Sequence, residues 1–384
     1  MKRRLLASLM TLVMMLSMLP TAVWARETGS GGSQETEDTA KLKPQSGEEG
    51  TSRETATSKE LDLADGSIVI SARGYTQYKE SGNVSEDSDD GNYTIKQTDS
   101  TTATTNTITV TGGDHTITLN GVNIDVSGMS AGVPCAFAIE SGNVTLVLAD
   151  GSENTLKSGW INVAQTGISY AGLWVRESAD LIIEGGGKLT AAGADAGDSS
   201  QLGNTALAAG IGASRAAAVG TSTEQTNNPL NHIGNITIKS GTIVAIGSKL
   251  GSYGGVGIGG GTNASNITII GGDVTAKSGS EGGGCAGIGN AYGQAGIKTI
   301  TISGTDTKVD AIGGGAGIGG GGYRQAGIIE IEGGTVKAES RSVGAGIGGG
   351  GGVYGGDNMN INGSITISGG TVTVSYTHLR AHET

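Results

Sequence analysis

Three glycine phrases in the second half of the chain match the fingerprint that seats a dinucleotide pyrophosphate at the start of a helix: Gly255-x-Gly257-x-x-Gly260, Gly315-x-Gly317-x-x-Gly320 and Gly344-x-Gly346-x-x-Gly349. A true fingerprint occurs once and opens a helix. Here it recurs with no helical periodicity behind it, so nucleotide chemistry is set aside. The same glycines fail as a calcium-binding nonapeptide, because Gly319 and Gly348 stand where that motif needs Asp. Oxygen ligands for a hard cation gather instead in a loop where Glu86, Asp87, Asp89 and Asp90 bring four carboxylates together. That loop lacks the closing Glu of an EF-hand, and a solvated charged turn is the competing reading. No cofactor is expected, and Ca2+ is the one ion for which the sequence offers a ligand set.

Aromatic chemistry is sparse and spaced. Tyr292, Tyr323 and Tyr354 lie 31 residues apart, which places them as a column about 5 Å apart if that interval is one turn of a stacked fold. Tyrosine faces hold sugar rings by apolar contact while polar neighbours such as Asn290 and Arg324 exchange hydrogen bonds with hydroxyls. The alternative is that the rings cover glycine corners and stack on one another. Trp174 stands between Leu173 and Val175, whose side chains are expected to point inward, so its indole is expected outside, as a glycan platform or under a covering loop. Trp160 is close enough in sequence to join it.

Catalytic pairs are harder to find. A polysaccharide lyase needs a basic side chain beside carboxylates that hold Ca2+, and a glycoside hydrolase needs two carboxylates at a set separation. The outward strand positions are mostly Thr (Thr237, Thr268, Thr301, Thr366), while Asp310, Glu330 and Lys337 stand singly. His115 and His232 are the histidines outside the last nine residues. A non-catalytic protein is expected, with a lyase or hydrolase as the rival.

What positions these residues is a repeat. The phrase A-G-I-G or a close variant returns around Ile211, Ile258, Ile288, Ile318 and Ile347, with intervals of 30, 30 and 29 residues after Ile258 and a longer first gap of 47 that holds an insertion. Each unit continues with an alternating strand such as Asn266-Ile267-Thr268-Ile269, then a Gly-Gly or Gly-Asp turn, then a shorter strand such as Val274-Thr275-Ala276. Three short strands per turn of about 30 residues describe a three-sided parallel β-helix, all-β and expected to wind right-handed. Seventy-two glycines serve its corners, and collagen is excluded because Gly does not fall at every third position. Weaker copies extend upstream over Ser67–Ser71, Thr107–Val110, Thr116–Asn120, Asn143–Leu148, Leu173–Val175 and Leu181–Glu184, with residues 75–105 as a candidate cap. Residues 61–375 then make about ten coils, near 45 Å of stack.

Outside the repeat, residues 1–25 read as a secretory signal peptide, with Lys2-Arg3-Arg4, an apolar run and Val23-Trp24-Ala25 before the cut. Residues 26–60 read as a disordered acidic Ser/Thr/Glu/Gly spacer, and residues 376–384 as a tail foreign to the repeat. A net charge of -12 and an aromatic content of 3% speak against nucleic-acid binding, and no membrane association is expected after signal cleavage. Cys135 and Cys285 fall in different coils and are expected as buried thiols in a monomer.

The run from Thr116-Ile-Thr-Leu-Asn-Gly-Val-Asn-Ile124 through Val144-Thr-Leu-Val-Leu148 and Leu181-Ile-Ile-Glu-Gly185 to the repeated A-G-I-G resembles secreted bacterial carbohydrate-binding domain-containing β-helix proteins, similar in architecture to pectate lyases. That resemblance implies a secreted or cell-surface protein or adhesin whose partner is a polysaccharide or a host or plant glycan. It transfers no binding residue, since the shared phrases are structural. A stalk that holds a further C-terminal domain is the alternative.

Overall fold

The computed structural model describes residues 58–86, 91–129, 131–163, 166–195, 208–216, 228–250, 253–280, 284–294, 296–342, 344–351 and 363–376. The chain divides into two units, Met1–Glu54 and Thr55–Thr384, and all described residues belong to the second. The signal-peptide reading, the spacer up to residue 57 and the tail from residue 377 lie outside the described residues.

The second unit is an all-β parallel helix in which strands stack in three columns. The first column is carried by the glycine phrase itself: Ile211 pairs with Ile258, Ile258 with Ile288, Ile288 with Ile318 and Ile318 with Ile347. The register survives the 47-residue gap between Ile211 and Ile258. These strands are only two residues long, as in Ile288–Gly289. Glycine on each side explains both their brevity and their position. A Cβ on Gly287 would lie 2.6 Å from the Ile312 nitrogen, and one on Gly289, where φ is +132°, would lie 2.1 Å from the Gly319 carbonyl oxygen.

The second column takes the Asn-Ile-Thr-Ile phrase. Ile267 and Ile269 point into the core and lie over Ile300 and Ile302, while Thr268 faces outward over Thr301. Its ten strands, Lys59–Asp62, Asn92–Lys96, Asp114–Asn120, the second half of Phe137–Leu148, the second half of Leu173–Gly185, Asn235–Ile238, Ser265–Ile269, Ile297–Ile302, Ile328–Ile331 and Ile365–Ile367, pair in parallel throughout. The third column is an eight-stranded sheet in which Val274, Val309, Val336 and Val372 form one inward row and Ala276, Ala311 and Ala338 the next. Among the described residues there is no α-helix.

Polar side chains stack as the apolar ones do. Asn143 Nδ2 donates to Asp114 Oδ1 at 2.7 Å and Asn235 Nδ2 to Asp180 Oδ1 at 2.8 Å, while the Asn266 amide reaches Asn235 Oδ1 at 3.0 Å. The Asn opening each Asn-x-Thr phrase therefore ties one coil to the one before it. Lys157 with Asp125, and Lys239 with Glu184, form charged rungs on the same principle. These are exposed and contribute about 0–1 kcal/mol each.

Three boundaries differ from expectation. Lys59 and Glu60, read as spacer, pair with Tyr93 and Thr94, and Tyr376, read as tail, pairs with Ser340. Residues 75–105 divide into two parts. Gly74–Lys79 and Val84–Glu86 form an antiparallel meander that covers the free edge of Gly66–Ser71, whereas Asn92–Lys96 is a coil strand. Reversing strand direction is what ends the stack there, because an antiparallel partner satisfies the edge without offering a further coil. At the other extreme of the described stack, Ile365, Ile367 and Val374 are about half exposed.

Both cysteines are buried thiols outside any disulfide. Burial pushes the Cys135 thiol up to about 12 from 9.0. A maleimide at pH 7 is expected to modify neither cysteine in the folded protein and both after denaturation, read by mass spectrometry. Since the unfolded thiol ionises near 9.0 and the folded one near 12, the stabilising contribution of Cys135 is complete below pH 9 and declines between pH 9 and 12.

Candidate ligand-binding edge

The corners that follow Ile288 and Ile318 carry Tyr292 and Tyr323. Tyr292 and Tyr323 are neighbours with ring centroids 5.3 Å apart, the spacing expected of successive coils, but the rings meet edge to face at 88°. Tyr292 is half-buried on Val256, Cys285 and Ala291. Its ring lies across two glycines, so that a Cβ on Gly284 would come within 2.6 Å of Tyr292 Cδ2. Tyr292 therefore covers the glycines of its corner. Tyr323 is half-exposed on top of it, and Arg324 beside it is exposed with Nε donating to the Gly293 carbonyl at 2.8 Å. Tyr354 lies outside the described residues.

Tyr323 has a further property. Its φ is +61°, and it is the one non-glycine residue with positive φ among the described residues. One coil earlier the same rung is occupied by Gly293, with φ +70°: the Gly293 amide donates to Gly322 O, as the Tyr323 amide does to Gly351 O. A left-handed backbone costs an L-residue about 1–2 kcal/mol. The chain thus places a large aromatic side chain where its own repeat uses glycine.

Asn290 and Trp174 correct the sequence reading. Asn290 is 1% exposed; its Oδ1 accepts from the amides of Gly296 and Ile297 and its Nδ2 donates to Gln325 O, so the side chain braces the corner from inside. Trp174 is 4% exposed, not turned to solvent. The reason is a lobe outside the coil: Trp160–Val163 and Thr166–Ser169 form a hairpin joined by Arg215–Ala216, and Ile161 and Ile168 pack on a cluster of Cys135, Ala138, Tyr170 and Trp174. Tyr170 meets Trp174 edge to face at 6.2 Å, and burial raises its phenol to about 12. The covering-loop alternative for Trp174 is the one observed. Trp160 is half-buried in the hairpin, paired with Ser169.

Of the acidic loop, Glu86 is ion-paired with Lys59, and Asp87, Asp89 and Asp90 lie outside the described residues. Among the described residues no three His, Cys, Asp or Glu side chains converge as metal ligands do. The coil does bring His232 Nδ1 to 2.6 Å from Glu177, 55 residues earlier in sequence, a pair that sequence neighbourhood does not reveal. His115 is buried with Nε2 on the Gly112 carbonyl.

A family model described as a beta helix repeat matches residues 267–292 and 329–351. No curated protein and no solved structure matches the chain. Each matched stretch runs from a second-column strand through the third column to the next glycine corner, which is one coil of the observed stack. Fold and family match agree that this chain is an all-β protein of parallel β-helix repeats.

Proposed function

We propose that the protein is a non-catalytic carbohydrate-binding protein of the secreted or cell-surface kind, which offers Tyr323 and Arg324 to a polysaccharide. The observation that carries this reading is the half-exposed Tyr323 ring on a backbone that the preceding coil gives to glycine. Strain of this kind clusters at functional sites. An aromatic face for a sugar ring beside a guanidinium for its hydroxyls is the chemistry such a site needs. The outward Thr rows and the pairing of Asp125, Glu184 and Asp310 with lysines support a binding surface over a hydrolytic one.

The test is Tyr323→Gly on a glycan array, with thermal unfolding alongside. Releasing the strain gains about 1–2 kcal/mol and losing the edge-to-face pair costs about 0.5–1.5 kcal/mol, so stability stays nearly level. Glycan affinity is expected to fall tenfold or more, the scale of an aromatic hot spot. A variant that binds as the parent does, or a parent that binds nothing, rejects the reading. The burial of Tyr292 and Asn290 favours a second one, a stalk whose corner aromatics are purely structural. It predicts no glycan binding in either protein.

A further inference from the structure

At the ends of the third-column strands the coil surface opens into a cleft of about 380 Å3, within the range of about 300–1,000 Å3 typical of small-ligand sites. Lys249, Lys277, Arg341, Ser278, Ser280 and Ile312 line it, together with glycine backbone. Three cations and no carboxylate among the lining residues make a local exception in a chain of net charge -12.

The cations come from three coils and are held by the fold. Lys277 ends the strand Asp273–Lys277, in register with Ile312 of the next coil. Arg341 is fixed by its amide on Gly313 O at 2.8 Å, and its Nε donates to Glu339, a carboxylate that Lys337 also approaches to 3.8 Å. Lys249 pairs with Gly254 in a short antiparallel ladder, and the Asp195 carboxylate accepts its backbone amide at 2.7 Å. The floor is braced by Ser278, whose Oγ accepts from the Gly314 amide and donates to Ser280 O. Lys249 and Lys277 are exposed, and among the described residues neither has a carboxylate within ion-pair distance.

Cations in a cleft concentrate the opposite charge, and Lys249 and Lys277 supply it here, since Glu339 engages Arg341 and Asp195 accepts only the Lys249 backbone amide. At physiological salt the screening length is about 8 Å, so acidic residues farther off count for little. The lining has no aromatic ring on which a base can stack, which disfavours nucleotides. Serine hydroxyls and glycine backbone suit sugar hydroxyls instead. We propose that this cleft binds the oxyanion groups, carboxylate or sulfate, of an acidic polysaccharide. The proposal rests on the carbohydrate-binding reading but uses a different site from the Tyr323 edge.

The experiment is titration calorimetry of the whole chain with polygalacturonate, dextran sulfate and neutral dextran, in 50 and 300 mM NaCl. Parent protein is expected to bind at least one charged polymer and to bind it tenfold or more weakly at the higher salt. Lys249→Gln/Lys277→Gln should lose tenfold or more in affinity with an unchanged Tm, since both side chains are exposed. The two polyanions separate a carboxylate from a sulfate preference. Charged polymers bound no better than dextran, or the double variant binding as the parent does, overturn the cleft. If the parent also binds neutral glycans through Tyr323, the cleft alone falls; if it binds no polymer at all, both readings fall.

Discussion

Gly289→Ala is expected to unfold the middle of the stack. Alanine brings a Cβ to 2.1 Å from the Gly319 carbonyl oxygen, which is backbone and cannot swing aside. Its φ of +132° lies outside the basins an L-residue occupies comfortably. Relief requires the two coils to part, and Gly259, Gly319 and Gly348 hold the same conformation above and below, with φ between +122° and +132°. Backbone strain of about 1–3 kcal/mol and overpacking of about 1–3 kcal/mol give a loss of about 2–6 kcal/mol. Urea denaturation should show it as a lower midpoint or a second transition. Ala in place of Gly293, whose Cβ meets no atom within 4 Å, is the control: it carries only the left-handed penalty of about 1–2 kcal/mol.

Ile288→Ala carries the second-largest expected effect. Ile288 is fully buried between Ile258 and Ile318, so truncation leaves a cavity between two coils that cannot close without shifting both. Large-to-small changes of this type cost about 2–5 kcal/mol. Thr301→Ala, on the outward face of the same stack, should stay within about 0.5 kcal/mol. Because each coil touches only its neighbours, the loss should be local. Hydrogen exchange is expected to accelerate around residues 258–318 and to leave Ile117 and Leu146 protected; uniform acceleration would mean that the stack behaves as one globule.

The columns were legible because each places identical residues at identical depth. Isoleucines a lap apart, alternating with Thr, leave one register that turns the alternating isoleucines inward, and the observed pairing is that register. Strands without the repeated phrase were harder to see. Lys59–Asp62, Asn92–Lys96, Asn123–Asp125 and Glu153–Lys157 carry few apolar residues, and in the last of them a buried Asn154 fills an inward place by accepting the amides of Gly121 and Val122.

The candidate site was less legible, since alternation along a strand says nothing about what an insertion lays over it. Trp174 looked outward by its neighbours, and the hairpin starting at Trp160 buried it. Asn290 and Arg324 both sit beside a corner tyrosine, yet one turns inward to backbone amides and the other outward. Corner loops have no period by which to tell them apart. The cleft was invisible for a related reason: Lys249, Lys277 and Arg341 belong to three coils, and no local motif joins them.

Distance along this protein counts coils, not residues. Spin labels on the outward row answer it, because Thr145, Ile182, Thr237, Thr268, Thr301, Glu330 and Thr366 are successive partners. With one label on Thr366 and the other on Thr268, Thr237 or Thr145, backbone separations of about 14, 19 and 29 Å are expected, at about 4.8 Å per coil. Moving from Thr237 to Thr145 crosses 92 residues, yet should add only two coils, about 10 Å. Dipolar distances that rise by one coil and then by two support the stack. Distances that fail to increase in this order, or a break between Thr237 and Thr145, contradict it.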